Sequence, residues 1–338
     1  MTSDAPGLRS ALKRGALVTA ANWPLVAAQF AAEASLKLLL AVPLVGGAFL
    51  VALVLDTSLT DLLDGDLREM VTAIVGALTA SPIALAAFVA AFLLVLIGGS
   101  ILTFIVKGGT VGMLAEAERA AGPIERPPLR LDALRRASVI SIDGFLGGAT
   151  HLARRYIRVG LGLLLVYLLT GGLYLLFIVG GYTLAENTGI LLAWTAAAAL
   201  ASSALIVWIT LVNFFYLMVQ MVVAVEDVSV RAGCELALRF VWHHLRDVAG
   251  VFGVVLALAV VATAASILAT AGLGLIAFVP LAGLAVLPLQ LAAWLVRGLV
   301  FEYLALTALG AYLTHYRWFT RGVAHTPPLR EIPGKRLA

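Results

Sequence analysis

Six long apolar runs, at residues 38–55, 82–106, 156–182, 190–225, 248–271 and 279–312, set the terms on which this chain can fold. Each reaches the ~20 residues that a helix needs to cross a hydrocarbon core of ~30 Å. Inside such a core no water satisfies backbone N–H and C=O groups, so a crossing segment is either a helix or a strand of a closed barrel. The two-residue alternation of a barrel strand is absent from these runs, which leaves a helical bundle. Composition agrees: 62% of the 338 residues are hydrophobic and 12% charged, against roughly 45–50% and 25% in a soluble domain. The expected fold is all-α, a polytopic bundle of six transmembrane helices forming one membrane domain.

The opening segment, MTSDAPGLRSALKRGALVTAANWP, starts with positive charge, but its apolar run at 16–21 stops at Asn22 and Pro24. A secretory signal needs a longer apolar core, so the N-terminus is expected to be retained. The single cysteine, Cys234, excludes an internal disulfide framework and reads as a small buried residue.

Lys and Arg resist translocation and collect on the cytoplasmic side, so their distribution predicts orientation. The segment DTSLTDLLDGDLREM between the first two runs holds one Arg among several acids, and residues 183–189 and 272–278 hold no Lys or Arg. The opposite side carries Arg9, Lys13, Arg14, the basic residues between Arg119 and Arg158, Arg231, Arg239, Arg246, and those from Arg317 through Arg336. Both termini are expected in the cytoplasm, with 317–338 as a basic tail, and the chain in the cytoplasmic (inner) membrane. Topology thus accounts for the basic pI of 9.4. No nucleic-acid partner is expected, because no aromatic-interleaved basic face accompanies the charge.

Three short stretches resemble one another: ALKRG at 11–15, ALRRA at 133–137 and ALRFV at 237–241. Each precedes a pair of long apolar runs, which suggests approximate repeats at 8–118, 129–226 and 231–316, each a short amphipathic helix, a turn and a hairpin. Asn22, Asp143 and Asp247 follow at similar spacing and are expected to cap the next helix, with Pro24 in a first helical turn. In the third copy Leu238, Val241, Trp242, Leu245 and Val248 follow the spacing of one apolar stripe, and Glu235 and Arg239 form an i, i+4 pair. Such helices are expected on the inner membrane surface or under the bundle, where Lys13, Arg14, Arg135, Arg136 and Arg239 meet anionic lipid head groups.

The stretch VVAVEDVSVRAGCELALRFVWHHLRDVAG, which leaves the membrane, passes through Glu-Asp and an amphipathic helix, and re-enters, resembles a loose group of bacterial six-helix integral membrane proteins. The group includes uncharacterised families and the membrane domain of some glycerophosphodiester phosphodiesterases. The resemblance implies the fold. The soluble phosphodiesterase domain is missing from this sequence, so that group's catalytic chemistry does not transfer.

Ionisable residues inside spans are costly and mark functional candidates. Here they are Glu33, Lys37, Lys107, Arg297 and Glu302. Counted inward at ~1.5 Å per residue, Lys37, Arg297 and Glu302 fall about 24–32 Å from the outer ends of their spans, near one inner-leaflet layer. Three readings stay open. The stems can snorkel to the head groups with Glu33 and Lys37 as an ordinary i, i+4 pair, the charges can line a polar cavity, or they can make subunit contacts. Asn213 and Gln220, seven apart on one face of the fourth span, read as helix-packing hydrogen bonds or as lining of that cavity.

Adjacent His243 and His244 point ~100° apart on a helix, so no metal or other cofactor is expected. The glycine-rich pieces KGGTVG and GFLGGATHLARR lack phosphate-loop chemistry and read as close packing. HExxH and GxSxG are absent, and Asp143-Gly144 matches only the start of a phosphatidyltransferase signature. The expected function is therefore non-enzymatic: handling or transport of a lipid or amphiphile near the inner leaflet. The alternative is a scaffold or accessory subunit that binds other membrane proteins, or itself, through small-residue faces.

Overall fold

The structure is a computed structural model and describes residues 7–55, 82–126, 128, 131–277 and 282–324. His325, most of the basic tail and the acidic segment between the first two runs lie outside the described residues. Among the described residues every regular element is a helix: α1 (Leu8–Ala21), α2 (Trp23–Leu55), α3 (Pro82–Ala120), α4 (Leu131–Ala137), α5 (Ile142–Thr188), α6 (Leu191–Glu226), α7 (Val230–His243), α8 (Leu245–Ala277) and α9 (Ala282–Ala324). The order is short, long, long, three times over. The six long helices are each long and apolar enough to cross a membrane, the make-up of a multi-pass membrane protein. α5, at 47 residues, runs on beyond the bilayer width; its first turns carry Arg154, Arg155 and Arg158.

Local chemistry sets the joints. α1 ends at Asn22, whose backbone N–H returns to Thr19, and Pro24 sits in the first turn of α2, where its missing N–H costs nothing. Ser141 caps α5 by accepting from the Gly144 N–H at 3.0 Å, and Ser229 caps α7 by accepting from Ala232 at 3.4 Å. α5 stops at Gly189, whose φ of 72° is the left-handed conformation that glycine reaches without strain. These joints correct the expected caps. Asp143 and Asp247 fall inside the first turns of α5 and α8, where a carboxylate favours the positive end of the helix dipole. The Asn22 side chain does not cap α2: it donates to the carbonyls of Val18 at 2.8 Å and Ala137 at 2.7 Å and accepts from the Val139 N–H, tying α1 to the end of α4.

The core is concentrated at one end of the bundle, where Leu114, Met218, Val222, Phe240, Leu313 and Tyr316 are buried together. Both ends of the described chain, α4 and α7 meet there. Farther along, the long helices present Leu168, Leu173, Leu176, Ile206, Val260 and Leu268 outward, which is surface for lipid tails in a bilayer. α1 lies within this core, against α9: Gly15 and Gly310 touch backbone to backbone, and a Cβ on Gly15 would land on the carbonyl of Thr307. Tyr303 on α9 donates its hydroxyl to the Ala16 carbonyl at 3.0 Å.

The third short helix is turned differently from the expected stripe. On α7, Gly233, Ala237 and Phe240 are buried, with Gly233 set against Val223 of α6. Leu238, Trp242 and Leu245 face outward; of the stripe, Val248 is buried in the core and Val241 packs against it half-buried, because the small Gly233 and Ala237 let α7 approach α6 most closely. The ion pair on this helix is Arg231–Glu235 at 3.8 Å, one turn earlier than the expected Glu235–Arg239. Cys234 is half-buried rather than buried, and that burial, helped by Glu235, pushes its thiol above the usual range.

Candidate functional site

α2 carries Gln29, Glu33 and Lys37 at intervals of four residues, so they form one stripe along the helix. That stripe faces α9, and the two helices are held in register by an aromatic contact. Phe30 rests on Gly298, which has no Cβ to fend it off, and its ring lies 5.7 Å from that of Trp294.

Two adjoining cavities open along this seam. The first, about 500 Å³, lies between α2, α8 and α9 and is lined by Lys37, Arg297, Thr263, Phe30 and Trp294. The second, about 370 Å³, lies between α2, α3, α6 and α9 and is lined by Gln29, Lys107, Asn213, Gln220 and Leu309. Glu33, Phe301 and Glu302 border both. All seven of the charged and amide residues singled out from the sequence therefore line one cavity or the other. Both volumes fall in the range of small-molecule sites.

The charges are arranged unevenly. Lys107 reaches across from α3 to Glu33 at 3.1 Å, and Gln29 donates to the same carboxylate oxygen at 3.2 Å. Of the three readings left open, this removes the Glu33–Lys37 pair: Glu33 turns toward Lys107 of α3. Lys107 also lies 5.9 Å from the centre of the Tyr216 ring, a cation–π distance. Glu302 is within hydrogen-bonding reach of Glu33. Lys37 and Arg297 make no ion pair with any described residue; the Arg297 guanidinium lies 5.9 Å from the Phe301 ring.

Two residues that line the second cavity each carry an unmatched polar atom. Gln29 and Gln220 are nearly fully buried, yet Gln29 Oε1 and Gln220 Nε2 have no hydrogen-bond partner among the described residues. A buried polar group in that condition costs roughly 1–3 kcal/mol, so each such group calls for an explanation. Asn213 divides its role. Its Oδ1 accepts from the Tyr167 hydroxyl at 2.5 Å, a bridge between α5 and α6, while the residue also lines the cavity.

Of the residues expected at lipid head groups, Lys13, Arg135, Arg136 and Arg239 are exposed. Arg14 is not available to lipid, and that expectation is corrected. It binds Glu118 at 2.9 Å, Glu125 at 3.0 Å and the carbonyls of Glu118 and Gly122. Arg317 binds the other oxygen of Glu118 and the Ala115 carbonyl, so one buried carboxylate clasps α1, α3 and α9 together. The cause is depth: α1 lies in the core, and an arginine there must find carboxylates and carbonyls rather than water.

The sequence reading passed over Gln29, Phe30, Thr263, Trp294 and Phe301, and over Glu118. The four-residue spacing from Gln29 through Glu33 to Lys37 was a usable signal for the first. Glu118, in the run LAEAERA, carries none, since nothing local separates it from a surface charge. Of the histidines, His243 Nδ1 bonds the Arg239 carbonyl at 2.8 Å, while His244 stacks on Phe240, so the two rings diverge. Comparison with protein-family models, with curated proteins and with solved structures finds no match to this chain.

Proposed function

We propose that this chain is a non-enzymatic protein of the cytoplasmic membrane that binds, and moves, an anionic lipid or other amphiphile near the inner leaflet. The observation that carries the reading is the pair of adjoining cavities, with Lys37 and Arg297 facing the first without ion-pair partners among the described residues. An apolar wall of Phe30, Trp294 and Phe301 beside two cations suits a molecule with a charged head and a greasy body. Lys107 answers Glu33 at 3.1 Å, which leaves Lys37 and Arg297 for such a head.

The rest of the proposal is topological. The excess of Lys and Arg puts α1, α4, α7 and both termini in the cytoplasm. Lys13, Arg135, Arg136 and Arg239 then meet anionic head groups there, while Leu238 and Trp242 on the outer face of α7 anchor it in the interface. The recurring order of one short and two long helices supports descent of the three units from one repeat, and kinship with the loose six-helix group named above.

Lipid binding to the purified full-length chain in detergent, read by native mass spectrometry, tests the reading. Bound anionic lipid should be lost from the double variant Lys37→Gln, Arg297→Gln, whose parent side chains are exposed and hold no ion pair among the described residues. A double variant that binds as the wild type does, or a wild type that binds no amphiphile, would sink it.

A second reading has its own observation. A groove of about 530 Å³ between α8 and α9, lined by Ala269, Gly272, Ala292 and Ala293 among leucines, fits the close approach of a partner helix. Crosslinking at Ala292 that captures one stoichiometric membrane partner would favour this scaffold role over the first.

A further inference from the structure

Glu33 and Glu302 come from different helices, α2 and α9, and their carboxyl groups lie within hydrogen-bonding reach of each other where the two cavities adjoin. An ionised carboxylate only accepts hydrogen bonds, so two carboxyls bonded to each other hold a proton between them. Glu33 receives the Lys107 ammonium at 3.1 Å and the Gln29 N–H at 3.2 Å, which places the negative charge there. Glu302 makes no ion pair with any described residue, which leaves it as the carboxyl that holds the proton and donates it to Glu33. The Glu33 and Lys107 side chains are 26% and 27% exposed, so the cluster is open to the cavities it borders.

We infer that binding of the anionic amphiphile is coupled to a proton on Glu302, which the protein holds while the anion is bound and gives to water when the anion has left. Once ionised, Glu302 is repelled by Glu33 and drawn to Lys37, since Lys107, the other ammonium in its electrostatic range, is already paired. It then competes with the ligand's head for Lys37 in the first cavity. Protonated, as its contact with Glu33 requires, it leaves Lys37 and Arg297 to the ligand. By linkage the anion and the proton favour each other's binding to the same extent. The titratable and charged groups around the pair are Lys37 on α2, Lys107 on α3, the Tyr216 phenol on α6 and Arg297 on α9; among the described residues, α1 and α8 place none in the lining of either cavity. The inference rests on the reading of the first cavity as an anion site. It adds what drives uptake and release.

The test uses the full chain in an uncharged detergent and a short-chain phosphatidylglycerol, whose phosphodiester keeps one negative charge throughout, with Kd measured from about pH 5 to about pH 9. Calorimetry in two buffers of different ionisation enthalpy counts the protons taken up. In the wild type Kd should weaken as pH rises, by up to about tenfold per pH unit over part of that range, with up to about one proton taken up per lipid bound there. Glu302→Gln should bind with a Kd that no longer changes with pH, whatever its level. Should that variant fail to fold, the infrared difference spectrum of the wild type decides: adding lipid where Kd is steepest should raise the carbonyl band of a protonated carboxyl. A flat wild-type Kd with no proton uptake, a slope retained in Glu302→Gln, or no such band overturns this inference while the anionic-amphiphile reading stands. Failure to bind the lipid at any pH overturns both.

Discussion

Replacing Glu118 by Ala removes the one carboxylate that joins α1, α3 and α9. Its side chain is 6% exposed and receives Arg14 Nε at 2.9 Å and Arg317 from the other side. The two guanidiniums, 13% and 11% exposed, would then face each other across the gap. Removing one partner of a buried ion pair costs about 3–5 kcal/mol, chiefly because the remaining charge is stranded. Arg14 keeps Glu125 at 3.0 Å and Arg317 keeps the Ala115 carbonyl at 2.6 Å, which places this case at the lower end, about 3 kcal/mol. Glu118→Gln preserves an acceptor oxygen and should cost about half as much. Thermal unfolding in detergent measures both. A double-mutant cycle with Arg317→Ala should show a coupling of at least about 1 kcal/mol, because deleting both ends strands less charge than deleting one. Arg231→Ala, at an exposed pair, is the control and should be silent. If Glu118→Ala melts with the wild type, or if its effect simply adds to that of Arg317→Ala, the clasp does not hold the helices.

Lys107→Met should destabilise by about 3 kcal/mol by leaving Glu33 without its cation, and Glu33→Gln in the same chain should restore much of the loss in the same melting assay. Gly15→Val should prevent α1 from seating, since a Cβ there meets the backbone of α9, and protease cleavage near Arg9 should rise sharply; an unchanged digestion pattern would refute the backbone contact. Asp227, bonded by Arg155 and by His151 at 2.8 Å, is held below the usual carboxylate range by those partners. Its contribution should be complete above its ordinary value of 3.8 and fade as pH falls through the lowered one, so the melting difference between wild type and Asp227→Asn should narrow only in acid. A cysteine at Asn187, in the last turn of α5, should react with an impermeant thiol reagent added outside intact cells; labelling only after permeabilisation would reverse the topology.

What the sequence determined by itself is local or one-dimensional. Length and apolarity are enough to mark six crossing helices, because a bilayer accepts almost nothing else. The fixed rise of a helix assigned Lys37, Arg297 and Glu302 a common depth before any contact was known, and the structure brings them to one pair of cavities. Tertiary structure decided which charge meets which. Arg14 and Glu118 are 104 residues apart and Arg317 and Glu118 are 199 apart, so no spacing rule links them. It also decided that Glu33 turns to Lys107 instead of its own neighbour Lys37, and that α7 buries Gly233, Ala237 and Phe240 while Leu238 and Trp242 face out. The physical reason is shared by all these cases. In a soluble protein an apolar side chain points to the core, but lipid tails are as apolar as the core, so hydropathy fixes a residue's depth and leaves its direction around the helix to packing.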